Sequence, residues 1–120
     1  MPSHQLLRVT DRASFEALRQ GRRGRAGAVT VTYLPAAPDR RGVRAAFQVG
    51  RAAGGAVVRN RIRRRLRAAL RELLAADRLP EGTYLVGART SVADQPWSSL
   101  LEDLGTAVER AVGAPRGDRA

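Results

Sequence analysis

The sequence predicts a single α+β domain, a layered sandwich of helices on a small mixed sheet with the element order α-β-β-α-β-α. Its 120 residues suit one domain with a modest core. Residues 28–34 alternate between apolar and polar side chains, as strands with one buried face do, and residues 43–49 also place their larger apolar side chains on one face. Between residues 56 and 76, apolar residues recur at helical spacing, which is typical of a helix packed on a sheet.

The first element is a short helix, predicted from about Asp11 to Gln20. Thr10 or Asp11 can cap its unpaired amides, and Gly21 can end it. Residues 22–25, Arg-Arg-Gly-Arg, then form a basic connector.

Two strands follow, joined by a loop rich in turn residues. They are predicted at 28–34 and 43–49, with a hairpin loop between them. The residues that share one face of each strand are Val29, Val31 and Tyr33 in the first, and Ala45, Phe47 and Val49 in the second.

The remaining elements are a long helix, a strand and a last helix. The long helix is predicted from about Ala56 to Ala76, the strand at 83–88 and the last helix near 99–112. The long helix therefore lies in a βαβ crossover between two strands of the sheet. Residues 50–55 lead into it and are glycine-rich; they form either a flexible turn or a backbone approach to a phosphate at the helix start.

The charge of the chain is strongly basic and uneven. The net charge is +11, and every basic residue is arginine. Residues 1–71 carry 17 basic and 3 acidic side chains, whereas residues 72–120 carry 5 and 8. Such a charge indicates a polyanionic partner, nucleic acid first. We expect residues 1–120 to form one RNA-binding domain, with flexible ends at about 1–8 and 113–120.

The long helix concentrates this charge. Seven of the thirteen residues from Arg59 to Arg71 are arginine, yet an apolar stripe persists. A solvated face would mix charge signs, and a helix on a membrane surface would carry aromatic anchors. DNA is not excluded by composition alone. RNA is favoured because aromatic residues of the basic half could stack on unpaired bases.

The residue types of an enzyme active site are scarce. His4 is the only histidine, there is no cysteine, and adjacent Glu102 and Asp103 diverge on a helix. A protein-only nuclease would need an acidic metal cluster that this sequence lacks. No apolar run resembles a signal peptide or a membrane span, and we expect a cytoplasmic protein.

Residues 56–67, Ala-Val-Val-Arg-Asn-Arg-Ile-Arg-Arg-Arg-Leu-Arg, closely resemble the signature of the bacterial ribonuclease P protein component. The resemblance continues in order and spacing over almost the whole chain. It includes the helix around Phe15, the Gly21-Arg-Arg connector, the strands with Tyr33 and Phe47, and the strand at residues 82–86.

The resemblance implies a basic subunit that joins a catalytic RNA and assists removal of the 5′ leader from precursor tRNA. It implies that Mg²⁺ is bound mainly by the RNA and not by the protein alone. The partners are then the catalytic RNA and precursor tRNA, with no membrane and no DNA. The family order is α-β-β-β-α-β-α or close to it. Its βαβ crossover is left-handed, which no pattern here would predict because nearly all such crossovers are right-handed.

The resemblance also implies which residues bind RNA. The residues that would face the catalytic RNA are Arg59, Asn60, Arg61, Arg63, Arg64, Arg65 and Arg67. Those that would line a cleft for the single-stranded leader are Phe15, Tyr33 and Phe47, with Arg51 contributing charge.

Two segments depart from the family pattern. The family usually has Ser-Lys-Lys-Val-Gly-Lys where residues 50–55 read Gly-Arg-Ala-Ala-Gly-Gly. The second aromatic of the first helix is replaced by Leu18 and Arg19. The alternative function is that of a general RNA-binding structural protein of ribosomal-protein type.

Overall fold

The computed structural model describes residues 5–113. The strands are β1 (Leu6–Arg8), β2 (Arg22–Ala26), β3 (Val29–Pro35), β4 (Val43–Gln48) and β5 (Gly82–Ala88). The α-helices are α1 (Arg12–Ala17), α2 (Ala56–Ala75) and α3 (Trp97–Gly113). Short 3-10 helices cover Leu18–Gln20, Arg51–Ala53 and Thr90–Ala93.

The five strands form one mixed sheet in the order β1-β4-β5-β3-β2. β4 is parallel to β1 and β5, whereas β3 is antiparallel to β5 and β2. The connection between parallel β4 and β5 runs through α2. The predicted α+β class is confirmed, with its mixed sheet and its crossover through the arginine-rich helix. The left hand implied by the resemblance stays a prediction.

The core lies between one face of the sheet and the helices α2 and α3. Register places Tyr84 of β5 beside Tyr33 of β3 and Ala45 of β4, all on this face. The apolar stripes that cover it include Ile62, Leu66 and Leu70 of α2 and Leu100, Leu104 and Val108 of α3, all fully buried. The arginine-rich helix is therefore fixed in the core by its apolar stripe, which leaves its opposite face exposed to solvent.

The sheet has five strands where the sequence predicted three. Residues 22–25, expected to be a connector, belong to β2, and the segment expected to be flexible at 1–8 contains β1. β2 lacks apolar alternation because its inward positions are Arg22, Gly24 and Ala26. A Cβ on Gly24 would lie 2.3 Å from the Ala107 carbonyl oxygen of α3, so the close approach of α3 requires glycine there.

The element bounds otherwise differ from prediction by a few residues at most. β1 has only three residues, too few to show a periodic pattern. The first helix has only 6 α-helical residues, and the 3-10 helix Leu18–Gln20 follows it directly. Residues 1–4 and 114–120, predicted to be flexible, lie outside the described residues.

Candidate RNA interface

The solvent-facing side of α2 is strongly basic. Asn60, Arg64 and Arg71 are exposed, and Arg59, Arg63 and Arg67 are half-buried. Arg63 donates to the Asn60 side-chain oxygen at 2.8 Å, which orders one edge of this surface. Within residues 5–113, Arg64 and Arg71 have no hydrogen bond or ion pair. Their unneutralised charges favour an anion held against the helix.

Arg61 and Arg65 lie on a flank of α2 and are used differently. Arg65 donates from its two terminal nitrogens to the backbone oxygens of Val92 and Gln95, each at 2.5 Å. Arg61 donates through Nε to the Ala93 oxygen at 2.7 Å, and it lies 3.7 Å from an Asp94 carboxylate oxygen. Both arginines, expected to face the catalytic RNA, thus bind the loop that precedes α3.

An aromatic contact completes this attachment. The Arg65 guanidinium lies 5.8 Å from the centre of the Trp97 ring, and the Trp97 indole N–H donates to Glu72 at 2.8 Å. Arg65 is half-buried as a result. A guanidinium with two carbonyl acceptors and an aromatic face is held more firmly than a solvated side chain.

A cleft opens on the face of the sheet opposite the core. Its volume is about 650 Å³, and the 3-10 helix after α1 forms one wall. Thr30, Thr32 and Leu85 form its floor, because the outward positions of β3 and β5 face away from α2. Phe15 lies at its edge with 45% of its surface exposed. Phe47 also lines the cleft, so two of the predicted aromatic residues share one cavity.

Phe47 joins the cleft to the arginine-rich helix. Its ring is half-buried at the end of β4, and the guanidinium of Arg67 lies 5.3 Å from its centre. Phe47 therefore contacts α2 with one side of its ring and lines the cleft with the other. A strand in the cleft would pass directly beside the basic surface of α2.

Phe15 belongs to the short helix α1, which begins with a side-chain cap. Asp11 is the N-cap, and its carboxylate accepts from the Ser14 amide and hydroxyl, both at 2.9 Å. Arg40 approaches the same carboxylate at 3.3 Å. Hydrogen bonds from Ser14 and Arg40 lower the pKa of Asp11 from 3.8 to about 2. The cap therefore stays charged over the whole neutral range and keeps the short helix in place.

Tyr33 does not line the cleft, contrary to the prediction. Its side chain faces the core, is 6% exposed, and its ring lies 5.0 Å from that of Tyr84. Its hydroxyl donates to the Glu81 backbone oxygen at 2.8 Å. Burial raises the pKa of Tyr33 above its usual value. The reason is the alternation of side chains along β3, which places Tyr33 on the same inward face as Val29 and Val31.

Arg51 does not line the cleft either. It lies exposed in the 3-10 helix Arg51–Ala53, ahead of α2. Gly54 follows with φ of 135°, a conformation that favours glycine, and Gly55 is the N-cap of α2 without a side-chain cap. The segment is a strand-to-helix turn, and the approach of its backbone to a phosphate stays a prediction.

Three arginines that the sequence did not indicate line the cleft. They are Arg19, Arg23 and Arg89, and all three are exposed. Arg23 could be placed only once β2 was known to be a strand with Arg23 on its outward face. Arg89 follows directly after β5. The sequence feature that could have indicated its position at the cleft is a single arginine at the end of a strand.

Two kinds of site are absent from residues 5–113. No group of three or more His, Cys, Asp or Glu side chains in this part could hold a metal ion. Among its helices, none combines the length and the apolar character that a membrane crossing requires.

Comparison with known proteins decides the family. The family model for ribonuclease P matches residues 3–112. The chain belongs to the ribonuclease P protein family. The ribonuclease P protein component of Thermobifida fusca is 42% identical over 118 residues, which cover 92% of this chain and 78% of that protein. The component of Thermus scotoductus is 38% identical and matches 89% of this chain.

Solved ribonuclease P proteins share the fold. The Staphylococcus aureus protein superimposes with a TM-score of 0.72 at 19% identity and covers 92% of this chain and 98% of its own. The Thermotoga maritima protein has a TM-score of 0.72 at 20% identity over 86% of this chain and 96% of its own. The chain spans 61% of the length of the Thermus scotoductus relative.

Proposed function

We propose that this chain is the protein subunit of a ribonuclease P ribonucleoprotein. It binds the catalytic RNA through the solvent-facing side of α2 and the 5′ leader of precursor tRNA in the cleft. It thereby assists the Mg²⁺-dependent hydrolysis that gives mature tRNA 5′ ends. The observation that carries the proposal is the position of Phe47, whose ring lines the cleft while Arg67 of α2 covers it at 5.3 Å.

The charge on α2 supports a folded RNA as the partner. Exposed Arg64 and Arg71 have no carboxylate partner among residues 5–113, and Arg59, Arg63 and Arg67 extend the same surface. Guanidinium groups bind phosphate oxygens two at a time, so a rigid row of them fits a phosphate backbone. Each neutralised phosphate makes the slope of log K against log salt concentration steeper by ~0.7–0.9, because binding releases counterions.

The cleft suits a single strand rather than a duplex. It places one exposed aromatic ring, Phe15, and one half-buried ring, Phe47, beside three exposed arginines. Unpaired bases stack on such rings with ~1–3 kcal/mol each, and arginines along a groove bind the backbone without regard to sequence. This combination fits leaders that differ in sequence from one precursor to the next.

We assign no step of the hydrolysis to a side chain of this protein. The described residues provide no group of ligands that fits Mg²⁺, and we propose that the partner RNA binds the ions mainly by itself. The role of the protein is to screen the repulsion between two polyanions and to position the leader. A cytoplasmic location follows from these partners.

Leader removal at low Mg²⁺ tests the proposal. The purified protein is added to a bacterial ribonuclease P RNA with labelled precursor tRNA, and cleavage is followed with time. We expect the protein to raise cleavage at Mg²⁺ concentrations where the RNA alone is slow. No increase would favour a general RNA-binding structural protein. Cleavage by the protein without the RNA would point to a protein-only nuclease instead.

A further inference from the structure

The segment 89–97 connects the two proposed binding surfaces. It begins at Arg89, which lines the cleft, and it continues through the 3-10 helix Thr90–Ala93 to Trp97 at the start of α3. Arg61 and Arg65 of α2 bind this segment at Val92, Ala93 and Gln95. The placement of Arg89 therefore depends on how the segment is attached to α2.

Arg65 provides most of that attachment. Its guanidinium bridges Val92 and Gln95 through two backbone oxygens, and it lies on the Trp97 ring. Val92 is fully buried, so the peptide that Arg65 binds cannot move without opening the core. Arg61 adds one further bond, to the Ala93 oxygen at 2.7 Å.

The attachment leads directly to Arg89. The Val92 N–H donates to the Arg89 backbone oxygen at 3.1 Å, so the residue whose carbonyl binds Arg65 also binds Arg89. The Arg89 N–H donates in turn to the Ala28 oxygen at 3.0 Å, which fixes its other side to the sheet. Its backbone is thus held at both ends. Its exposed side chain has no hydrogen bond or ion pair within residues 5–113.

We propose that Arg65 is a positioning residue that holds Arg89 at the cleft, where the Arg89 guanidinium contacts a phosphate of the bound single strand. Arg65 acts through the loop and not through RNA, although it belongs to the arginine-rich helix. The inference rests on the proposed function, because the strand that Arg89 would contact is the leader. By this inference, the arginines of α2 have two roles. Arg65 binds the loop and affects leader binding, whereas exposed arginines such as Arg64 bind the catalytic RNA.

The test is a double-mutant cycle in the reconstituted ribonucleoprotein. The affinity for precursor tRNA with a leader is divided by the affinity for the same tRNA without one, which gives the leader advantage. This ratio is measured for Arg65→Ala, Arg89→Ala and the double variant. Arg64→Ala is the control, because Arg64 neighbours Arg65 but is exposed and does not bind the loop.

We expect Arg65→Ala and Arg89→Ala each to reduce the leader advantage about fivefold, the size of one net hydrogen bond. The double variant should lose no more than Arg89→Ala alone, because both changes remove the same contact. Arg64→Ala should weaken binding of the catalytic RNA and leave the leader advantage at the wild-type value. Arg65→Lys should not fully restore the advantage, since an ammonium group lacks the planar fork whose two terminal nitrogens reach Val92 and Gln95.

Three results would overturn the inference. They are additive losses in the double variant, a wild-type leader advantage in Arg65→Ala, and a full rescue by Arg65→Lys. If Arg65→Ala does not fold by circular dichroism, the cycle is run with Arg65→Lys and Arg89→Ala and is judged by the same additivity. A wild-type ribonucleoprotein without any leader advantage would instead contradict the proposed function itself.

Discussion

Arg65 and Trp97 lie 5.8 Å apart, guanidinium to ring centre, while both terminal nitrogens of Arg65 donate to the loop before α3. Arg64, the preceding residue, is exposed and has no partner within residues 5–113. Neighbouring arginines of one basic helix thus serve different purposes. One binds the loop before α3, and the other leaves its charge without a side-chain partner in this part of the chain.

Stability should distinguish these two arginines. Arg65→Ala should lower the free energy of unfolding by about 2 kcal/mol, because it leaves two partly buried carbonyl groups without their charged donor. Arg64→Ala should change it by less than about 0.5 kcal/mol, as surface substitutions do. Denaturant unfolding checks this, with the fluorescence of Trp97, the only tryptophan, as the signal. Equal stability of the two variants would contradict the structural role of Arg65.

Phe15→Ala should weaken binding of precursor tRNA by ~1–3 kcal/mol, the cost of losing one stacked base. Binding of mature tRNA should not change, because mature tRNA has no leader to place in the cleft. Phe15 is 45% exposed, so the substitution removes little core packing. Affinities of the reconstituted ribonucleoprotein for the two tRNAs give the answer. A loss of the same size for both would indicate that Phe15 only packs α1 on the sheet.

Tyr33→Phe should have the opposite profile. It removes the hydroxyl that donates to the Glu81 carbonyl and should reduce stability by about 1 kcal/mol. The leader advantage should stay at the wild-type value, because Tyr33 faces the core and not the cleft. Thermal unfolding and the two tRNA affinities measure both effects. If affinity fell only for the tRNA with a leader and stability did not change, Tyr33 would be a leader-binding residue after all.

Protonation of Asp11 at low pH should weaken the N-terminal cap of α1. The folded-state pKa of Asp11 is about 2, below the ordinary value of 3.8, because Ser14 and Arg40 donate to the ionised carboxylate. The stabilisation is therefore complete above about pH 4 and is lost as the pH falls towards 2. The Ser14 and Phe15 amide resonances should follow this titration in NMR spectra.

Asp11→Asn is the matched control for that titration. Asparagine still accepts at the N-cap but does not ionise in this range, so the shift of the Ser14 amide between pH 4 and 2 should disappear. The same pH profile in Asp11→Asn would show that another carboxyl group controls α1.

The sequence predicted those elements whose apolar residues repeat with a clear period. Register followed from the same pattern, since the face shared by Val29, Val31 and Tyr33 is the buried one. Tyr33 lies on that buried face, so it is a core residue and not the cleft residue that the family resemblance implied. β2 carries no apolar alternation, and its strand conformation depends on the contact between Gly24 and α3, which is remote in sequence.

The candidate site was predictable only in part. The arginine-rich helix could be placed from its spacing, and the cleft residues Phe15 and Phe47 followed from the family resemblance. The division between Arg64 and Arg65 could not, because it depends on a loop almost thirty residues further along that folds back on α2. Arg89 reaches the cleft through the same loop, so its role also required the tertiary structure.

Competition binding tests the central claim most directly. Labelled bacterial ribonuclease P RNA is bound to the protein at several salt concentrations and displaced by the unlabelled RNA, by an unrelated folded RNA of equal length, or by polyphosphate. The account predicts that the ribonuclease P RNA displaces itself at far lower concentrations than either competitor, and that Arg64→Ala narrows this difference and flattens the salt slope by ~0.7–0.9. Equal displacement by all three polyanions would contradict it.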